Sequence, residues 1–406
     1  MIVGRNFIII SPRHWDNPMG TTIKNAALEI SKRNRVLFIG PPLQRSYQLL
    51  KNKIPEVRKY WAVFRGNHPN LRQVNDNLIV FYPKTVLESI NLINNNRIYD
   101  FLLRLNERRF ARQILKAVRR LNFKEFIILN DTSMLVGFYL KELLSPKLNI
   151  YLIRDAVVLV GYHSKHGKLY EEKMIGKSDL VVTNSEPFAD YARKFNPNSH
   201  MIGQGCDVSL YSDPDGQLAV PGELESISHP RIGFTGYLNT IRLDIDILIH
   251  IAEQRPGWNI VLVGPEDEDF RKSRLHQLPN VFFPGRKDLK QLPGYIKGFD
   301  VTINPQLVNL LTDTNYPLKI DEYLSMGKPI VATKTRFMSY FGDSVYLAST
   351  REEFVLLIET AIHENSPGKE KQRIDLALSH SWENFAGKIY KQIELLLANT
   401  PVIGNK

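Results

Sequence analysis

A single cysteine, Cys206, stands in 406 residues. No internal disulfide and no cysteine-rich metal cluster can be built from it, and such sparing use fits a reducing cytoplasm. Long apolar runs are missing as well: nothing approaches the roughly 18 residues that span a bilayer as a helix. The apolar residues 7–10 stop at Ser11-Pro12, too short for a signal-peptide core, and read as a buried strand. Also absent are a Walker lysine loop, a Cys-x-x-Cys pair, a Gly-x-Ser-x-Gly elbow and an early Gly-x-Gly-x-x-Gly. The usual signatures of P-loop NTPases, zinc modules, esterases and ordinary dehydrogenases go with them.

Negative charge is scarce in one half only. Residues 1–220 hold 32 Lys and Arg against 19 Asp and Glu, whereas the remainder holds 21 against 23. The whole excess of +11 therefore lies in the first half, which points to an anionic partner there. Arg104, Arg108, Arg109, Arg112, Lys116, Arg119 and Arg120 cluster in a helix-like stretch, 99–121, with Phe101, Leu105, Phe110 and Ile114 interleaved. Such a face suits an anionic membrane surface, at about 1 kcal/mol per basic residue near the lipid, or serves only as a solvated face. A nucleic-acid reading rests on charge alone, since no motif accompanies it.

The length suits two domains of about 150–200 residues each. Strand-like runs at 7–10, 35–39, 78–82, 126–129, 150–153 and 179–183 alternate with helical pattern at 22–33, 99–121 and 134–144. Alternation of this kind predicts a parallel sheet covered on both faces. A polar stretch bearing Pro, Gly and Ser, 212–230, reads as a linker. Beyond it a second series follows, with strands at 231–236, 259–264, 281–285, 300–305, 329–333 and 345–348. Helices are expected between them at 242–254, 289–298, 317–326 and 351–363. The expected architecture is α/β, two tandem Rossmann-like domains over 1–211 and 231–381, and a ligand is expected at the carboxyl ends of their strands. An amphipathic helix at 383–397 closes the sequence, within a final segment 382–406.

The chemistry concentrates in the stretch NYPLKIDEYLSMGKPIVAT, 315–333. A helix beginning near Pro317 presents its first amides and the positive end of its dipole, where a phosphate is held. Lys319 in the first turn breaks the preference for acid there, and a bound anion would repair it. Glu322 shares its helix face and is able to accept hydrogen bonds from two adjacent hydroxyls, as a ribose offers. Gly327 ends the helix.

The pattern Pro317-Leu318-Lys319-x-x-Glu322-Tyr323-Leu324-x-x-Gly327-Lys328-Pro329-Ile330-Val331 resembles the donor-site signature of GT-B fold glycosyltransferases. Among them it is most similar to bacterial cell-surface polysaccharide enzymes of the teichuronic acid glycosyltransferase and xanthan glucuronosyltransferase type. The resemblance implies that Glu322 holds the donor ribose and that Lys319 faces the diphosphate, with Asn315 at the head of the stretch among the donor-binding residues. It implies further donor contacts at Gly236 and Tyr237 of the Gly233–Tyr237 loop, at Arg242 as a cation, and at Gly285 and Arg286 beside the base. Residues 202–211 resemble the hinge of these enzymes. Ser11-Pro12-x-x-Trp15 with Gly20 and Thr21 is similar to their acceptor-side loop, and the terminal helix is expected to cross back to the first domain.

One departure stands out. Retaining members of the wider group carry Glu-x7-Glu, and the earlier position here is Thr314. An inverting transfer needs a base for the acceptor hydroxyl. Asp155, just after the 150–153 strand, is the first candidate, followed by His163, with His166 in reserve. The acidic run 266–269 reads as a solvated loop rather than a metal site, because consecutive carboxylates point apart.

These expectations describe a metal-independent, cofactor-free glycosyltransferase in the cytoplasm, peripheral at the inner face of the cell membrane. It would use a nucleoside diphosphate sugar, UDP before GDP, and a lipid-linked glycan acceptor. The rival readings are a degenerate nucleotide-sugar-binding partner subunit and a GT-B nucleotide-sugar epimerase.

Overall fold

The computed structural model describes residues 2–17, 22–46, 55–159, 161, 164–309 and 312–399. Every apolar run named above forms a strand, and the chain divides into two units, Met1–Gly203 with Phe385–Lys406 and Gln204–Asn384.

The first unit is built on β1 (Asn6–Ile10), β2 (Arg35–Ile39), β4 (Leu71–Asn75), β5 (Leu78–Phe81), β7 (Ile127–Asp131), β8 (Leu148–Ile153), β9 (Leu180–Thr183) and β10 (Ser199–Met201). Their order is β10-β9-β8-β7-β1-β2-β5-β4, parallel throughout except for β4, which runs antiparallel to β5. A short pair, β3 (Leu43–Gln44) with β6 (Val86–Leu87), lies outside the sheet. The inner strands are mostly apolar runs because helices cover both faces of the sheet. Strand β4, LRQVN, is an exposed edge and carries no such run. One face of the sheet buries Ile8, Leu37 and Ile128 against Phe110, Ile114 and Val118 of the long helix Asn96–Arg120. In the terminal helix, Trp382–Asn399, Tyr390 meets Asn34 at 3.0 Å through its hydroxyl and lies near the Phe7 ring.

The second unit has β11 (Arg231–Thr235), β12 (Asn259–Val263), β13 (Val281–Phe282), β14 (Val301–Asn304), β15 (Ile330–Thr333) and β16 (Tyr346–Ala348). All are parallel, in the order β13-β12-β11-β14-β15-β16. That order is the Rossmann arrangement, with its reversal between β11 and β14. Residues 204–211, expected in the first domain, cluster with this unit instead: Cys206 donates its amide to the His380 carbonyl at 2.8 Å. The stretch 212–230 is packed rather than free. Leu224 is fully buried, and Asp213 pairs with Lys297 at 2.6 Å.

Candidate active site

In the second unit the strand order reverses between β11 and β14, and it is at the carboxyl ends of strands flanking such a reversal that α/β sheets form a ligand crevice. Strand β11 runs into Gly236, whose φ is +137°, and β12 runs into Gly264, whose φ is +158°. A Cβ on Gly264 would sit 1.7 Å from the Gly236 carbonyl oxygen. Gly264 is therefore required by the close approach of two backbones, and Gly236 by its own positive φ.

The loops after β11 and β14 are joined to each other. Leu307 donates to the Arg242 carbonyl and Asp244 to the Pro305 carbonyl, both at 2.9 Å, and Asn309 Nδ2 reaches the Ile241 carbonyl at 3.0 Å. From the β12 side, Asp267 accepts from the Thr240 amide at 2.8 Å and caps the helix Glu268–Arg271. Of the rest of the acidic run, Glu266 pairs with His276 and Glu268 with Lys272. Each of these three carboxylates thus has a structural partner.

The helix Lys319–Ser325 completes the crevice. Tyr323 places its hydroxyl 2.8 Å from the Thr235 amide, which ties the helix to the end of β11. On its other side Asp321 is fully buried, accepting from His380 Nδ1 at 2.8 Å and from the Tyr316 hydroxyl at 2.6 Å. With those two faces anchored, Lys319 and Glu322 share the remaining one. The Lys319 ammonium lies over the Phe234 ring, 4.0 Å from its centroid, and 3.2 Å from where a Cβ on Gly236 would be. Any side chain at 236 would crowd the lysine.

Electrostatics mark this pair. Burial of the charge lowers the Lys319 pKa to about 7; Glu322 opposes the shift and the Arg242 cation adds to it. Burial likewise raises Glu322 to about 7, against the pull of Lys319 and the Tyr211 hydroxyl. Tyr211 is itself buried, and its hydroxyl makes no hydrogen bond of ordinary geometry. The site is thus a cation, a carboxylate and a phenol held partly desolvated, which strengthens their contacts with a charged ligand.

The amides at the helix start contribute less than expected. Those of Ile320 and Asp321 are bonded to the carbonyls of Pro317 and Leu318, in a tight first turn. The Ile320 and Asp321 amides are thus not free to face a ligand, whereas the Lys319 ammonium lies at the end of β11. Of the other expected donor residues, Tyr237 is 56 % exposed beside Gly236, and Arg242 is exposed on the joined loops. Asn315 is partly buried just before Tyr316. Gly285, with φ +76°, and exposed Arg286 follow β13, at the edge of the sheet and two strands from β11. Phe234, Tyr323 and the Asp321–His380 pair were not legible as site residues. Phe234 reads as one more apolar residue of a strand, and His380 lies 59 positions from its partner.

In the first unit the equivalent reversal falls between β1 and β7. At that end Asp131 is fully buried and held by Arg154 through two contacts of 2.7 Å. Neither residue announces the other in sequence; the parallel register of β7 and β8 brings them together. Asp155 is half-exposed, 4.0 Å from Arg154. His166 does not fit a base: it is buried, stacked on Tyr99 at 3.8 Å, and donates Nε2–H to the Ile93 carbonyl. Trp15 is 6 % exposed and packs edge-on against Phe38, so its ring belongs to the core rather than to an open sugar platform. His163, Gly20 and Thr21 lie outside the described residues.

Residues 229–362 match the family model described as Glycosyl transferases group 1. A Bacillus subtilis (strain 168) protein, provisionally named the teichuronic acid biosynthesis glycosyltransferase TuaH, is 27% identical over 250 residues. That match spans 58% of this chain and 61% of the relative. Among solved structures, Anabaena HepE in complex with UDP and glucose has a TM-score of 0.64 at 15% identity, covering 96% of this chain and 100% of its own. Sucrose-phosphate synthase from Thermosynechococcus elongatus has a TM-score of 0.63 at 13% identity, covering 98% and 100%. An E. coli trehalose-6-phosphate protein bound with UDP-2-fluoro glucose has a TM-score of 0.66 at 11% identity, covering 96% and 99%. Residues 229–362 are thus similar to the group 1 glycosyl transferase domain, on a chain that has the GT-B fold.

Proposed function

We propose that this chain transfers a sugar from a nucleoside diphosphate donor, UDP before GDP, to a growing cell-surface glycan carried on a lipid. The observation that carries the reading is the convergence of Lys319, Glu322 and the Gly236 backbone at the strand-order reversal of the second unit. Lys319 and Arg242 supply the positive charge that balances a leaving diphosphate, which makes a bound metal unnecessary to the scheme. Glu322 accepts from the ribose hydroxyls, and its neighbour Tyr211 offers a further hydroxyl. The names of the similar proteins, a teichuronic acid enzyme and structures holding UDP, support the donor and acceptor classes.

For the acceptor step we assign Asp155 as the base, with Arg154, locked by buried Asp131, as its nearest cation. Thr314 in place of a first glutamate favours an inverting outcome. A lipid-linked acceptor places the working enzyme at the inner face of the membrane, and no described helix is long and apolar enough to cross it.

Incubation with a labelled UDP-sugar and membrane-extracted glycan acceptor tests the reading. Labelled product should form only with acceptor present and should be lost in Glu322→Ala. Nucleotide-sugar binding without transfer to any acceptor would instead favour a binding-only partner subunit.

A further inference from the structure

The helix Asn96–Arg120 carries seven Arg and one Lys, and all eight are exposed. Its two acidic residues face the other way. Asp100 accepts from the hydroxyls of Tyr139 and Tyr170 at 2.8 Å, and buried Glu107 accepts the amides of Phe138 and Tyr139. The outer face is therefore of one sign. A face that served only solubility would mix signs, because like charges aligned on a helix repel.

Spacings of three, four and seven put Ile98, Phe101, Arg108, Arg112, Lys116 and Arg119 on one stripe. Its first end is apolar: Ile98 is 53 % exposed and Phe101 62 %. Its second end opens on a cavity of about 380 Å³, lined by Arg109, Arg112, Lys116 and Arg119 with Thr85 and Gln113. Arg109 is partly neutralised by Glu88 at 3.3 Å. Among the described residues Arg112, Lys116 and Arg119 have no acidic partner.

We infer that this stripe docks the chain flat on an anionic lipid bilayer, with lipid phosphates against Arg112, Lys116 and Arg119 and with Ile98 and Phe101 seated among the acyl chains. Charge complementarity selects the partner, and the abundance of Arg suits phosphate, which the guanidinium fork grips with two donors. The exposed apolar end separates a bilayer from a nucleic acid: Ile98 gains nothing from a sugar-phosphate backbone, whereas a cationic helix with an apolar margin is the pattern of an interfacial helix. The inference deepens the reading of a lipid-linked acceptor and rests on it only for its purpose, since the surface belongs to the first unit and the donor residues to the second.

Flotation of the full chain with phosphatidylcholine vesicles, with and without phosphatidylglycerol, tests it. Binding should require the anionic lipid and weaken with salt. The triple variant Arg112→Gln, Lys116→Gln, Arg119→Gln should bind on the order of a hundredfold less tightly. Phe101→Ser should lose about tenfold while its melting temperature is kept, as expected of an exposed position. Equal retention of the triple variant, equal binding to neutral vesicles, full competition by inorganic phosphate, or preference for a single-stranded RNA oligonucleotide over the vesicles would each overturn the proposal. UDP binding should be unchanged in the triple variant. A chain that floats with anionic vesicles yet ignores UDP would sink the donor reading and leave this one standing.

Discussion

Lys319 must be charged to hold a diphosphate, yet its surroundings disfavour the charge and lower its pKa to about 7. A bound diphosphate reverses that preference, so binding should take up a proton. Calorimetry of UDP binding in buffers of different ionisation enthalpy should show net uptake near pH 7. Affinity should fall as pH rises from 7 towards 9, by up to about tenfold per unit. A pH-independent affinity would remove Lys319 from the contact. The same shift bears on stability. Between pH 7 and the unfolded value near 10.4 the unfolded chain holds a proton that the folded chain does not, so stability rises with pH across that window, and the penalty is fully present below it. Lys319→Met should accordingly raise the melting temperature of the ligand-free chain at pH 7 while weakening UDP at least about tenfold. A lower melting temperature would show that the lysine is structural. Lys319 was legible in sequence because it breaks a local helix rule. Asp131 and Arg154 were not, because each obeys the pattern around it and only their strands' register joins them.

At the scale of elements, the helix Lys319–Ser325 is only seven residues long and is held by its neighbours rather than by its own turns. Tyr323→Phe removes the acceptor for the buried Thr235 amide, which should lower stability by about 1–3 kcal/mol in denaturant titration. UDP affinity should fall with it, since the face bearing Lys319 and Glu322 is set by that bond. Unchanged affinity would mean that the Asp321–His380 side suffices. The apolar strands could be read because a sheet covered on both faces leaves few polar positions. Polar edge strand β4 escaped for the converse reason. Helical pattern at 134–144 yields a helix only at Leu140–Leu144, because the amides of Phe138 and Tyr139 bond to the Glu107 carboxylate instead of to the preceding turn. Stretch 212–230 has linker composition, but buried Leu224 and Ile227 pin it, with Leu224 and Val220 packed beside Gly298.

The whole molecule sets two chemistries on separate units, cationic face on the first and desolvated Lys–Glu pair on the second. Charge counting along the sequence revealed that division, and alternation of strand and helix revealed the two sheets. The partition of 204–211 needed the backbone contacts of Cys206 with His380 and Ser381, which no local pattern encodes. Hydrogen exchange should show UDP-dependent protection concentrated at 234–243, 305–309 and 316–323, whose backbones form the joined loops and the anchored helix. Protection confined to the first unit would place the nucleotide elsewhere. The most direct measurement is a thermal and denaturant unfolding series with UDP and GDP on the unaltered chain, Lys319→Ala and Glu322→Ala. At a hundred times its dissociation constant the preferred nucleotide should add about 2.7 kcal/mol to the stability of the unaltered chain, with most of that gain lost in each variant at the same concentration. Equal stabilisation of all three chains, or none by either nucleotide, would contradict the account.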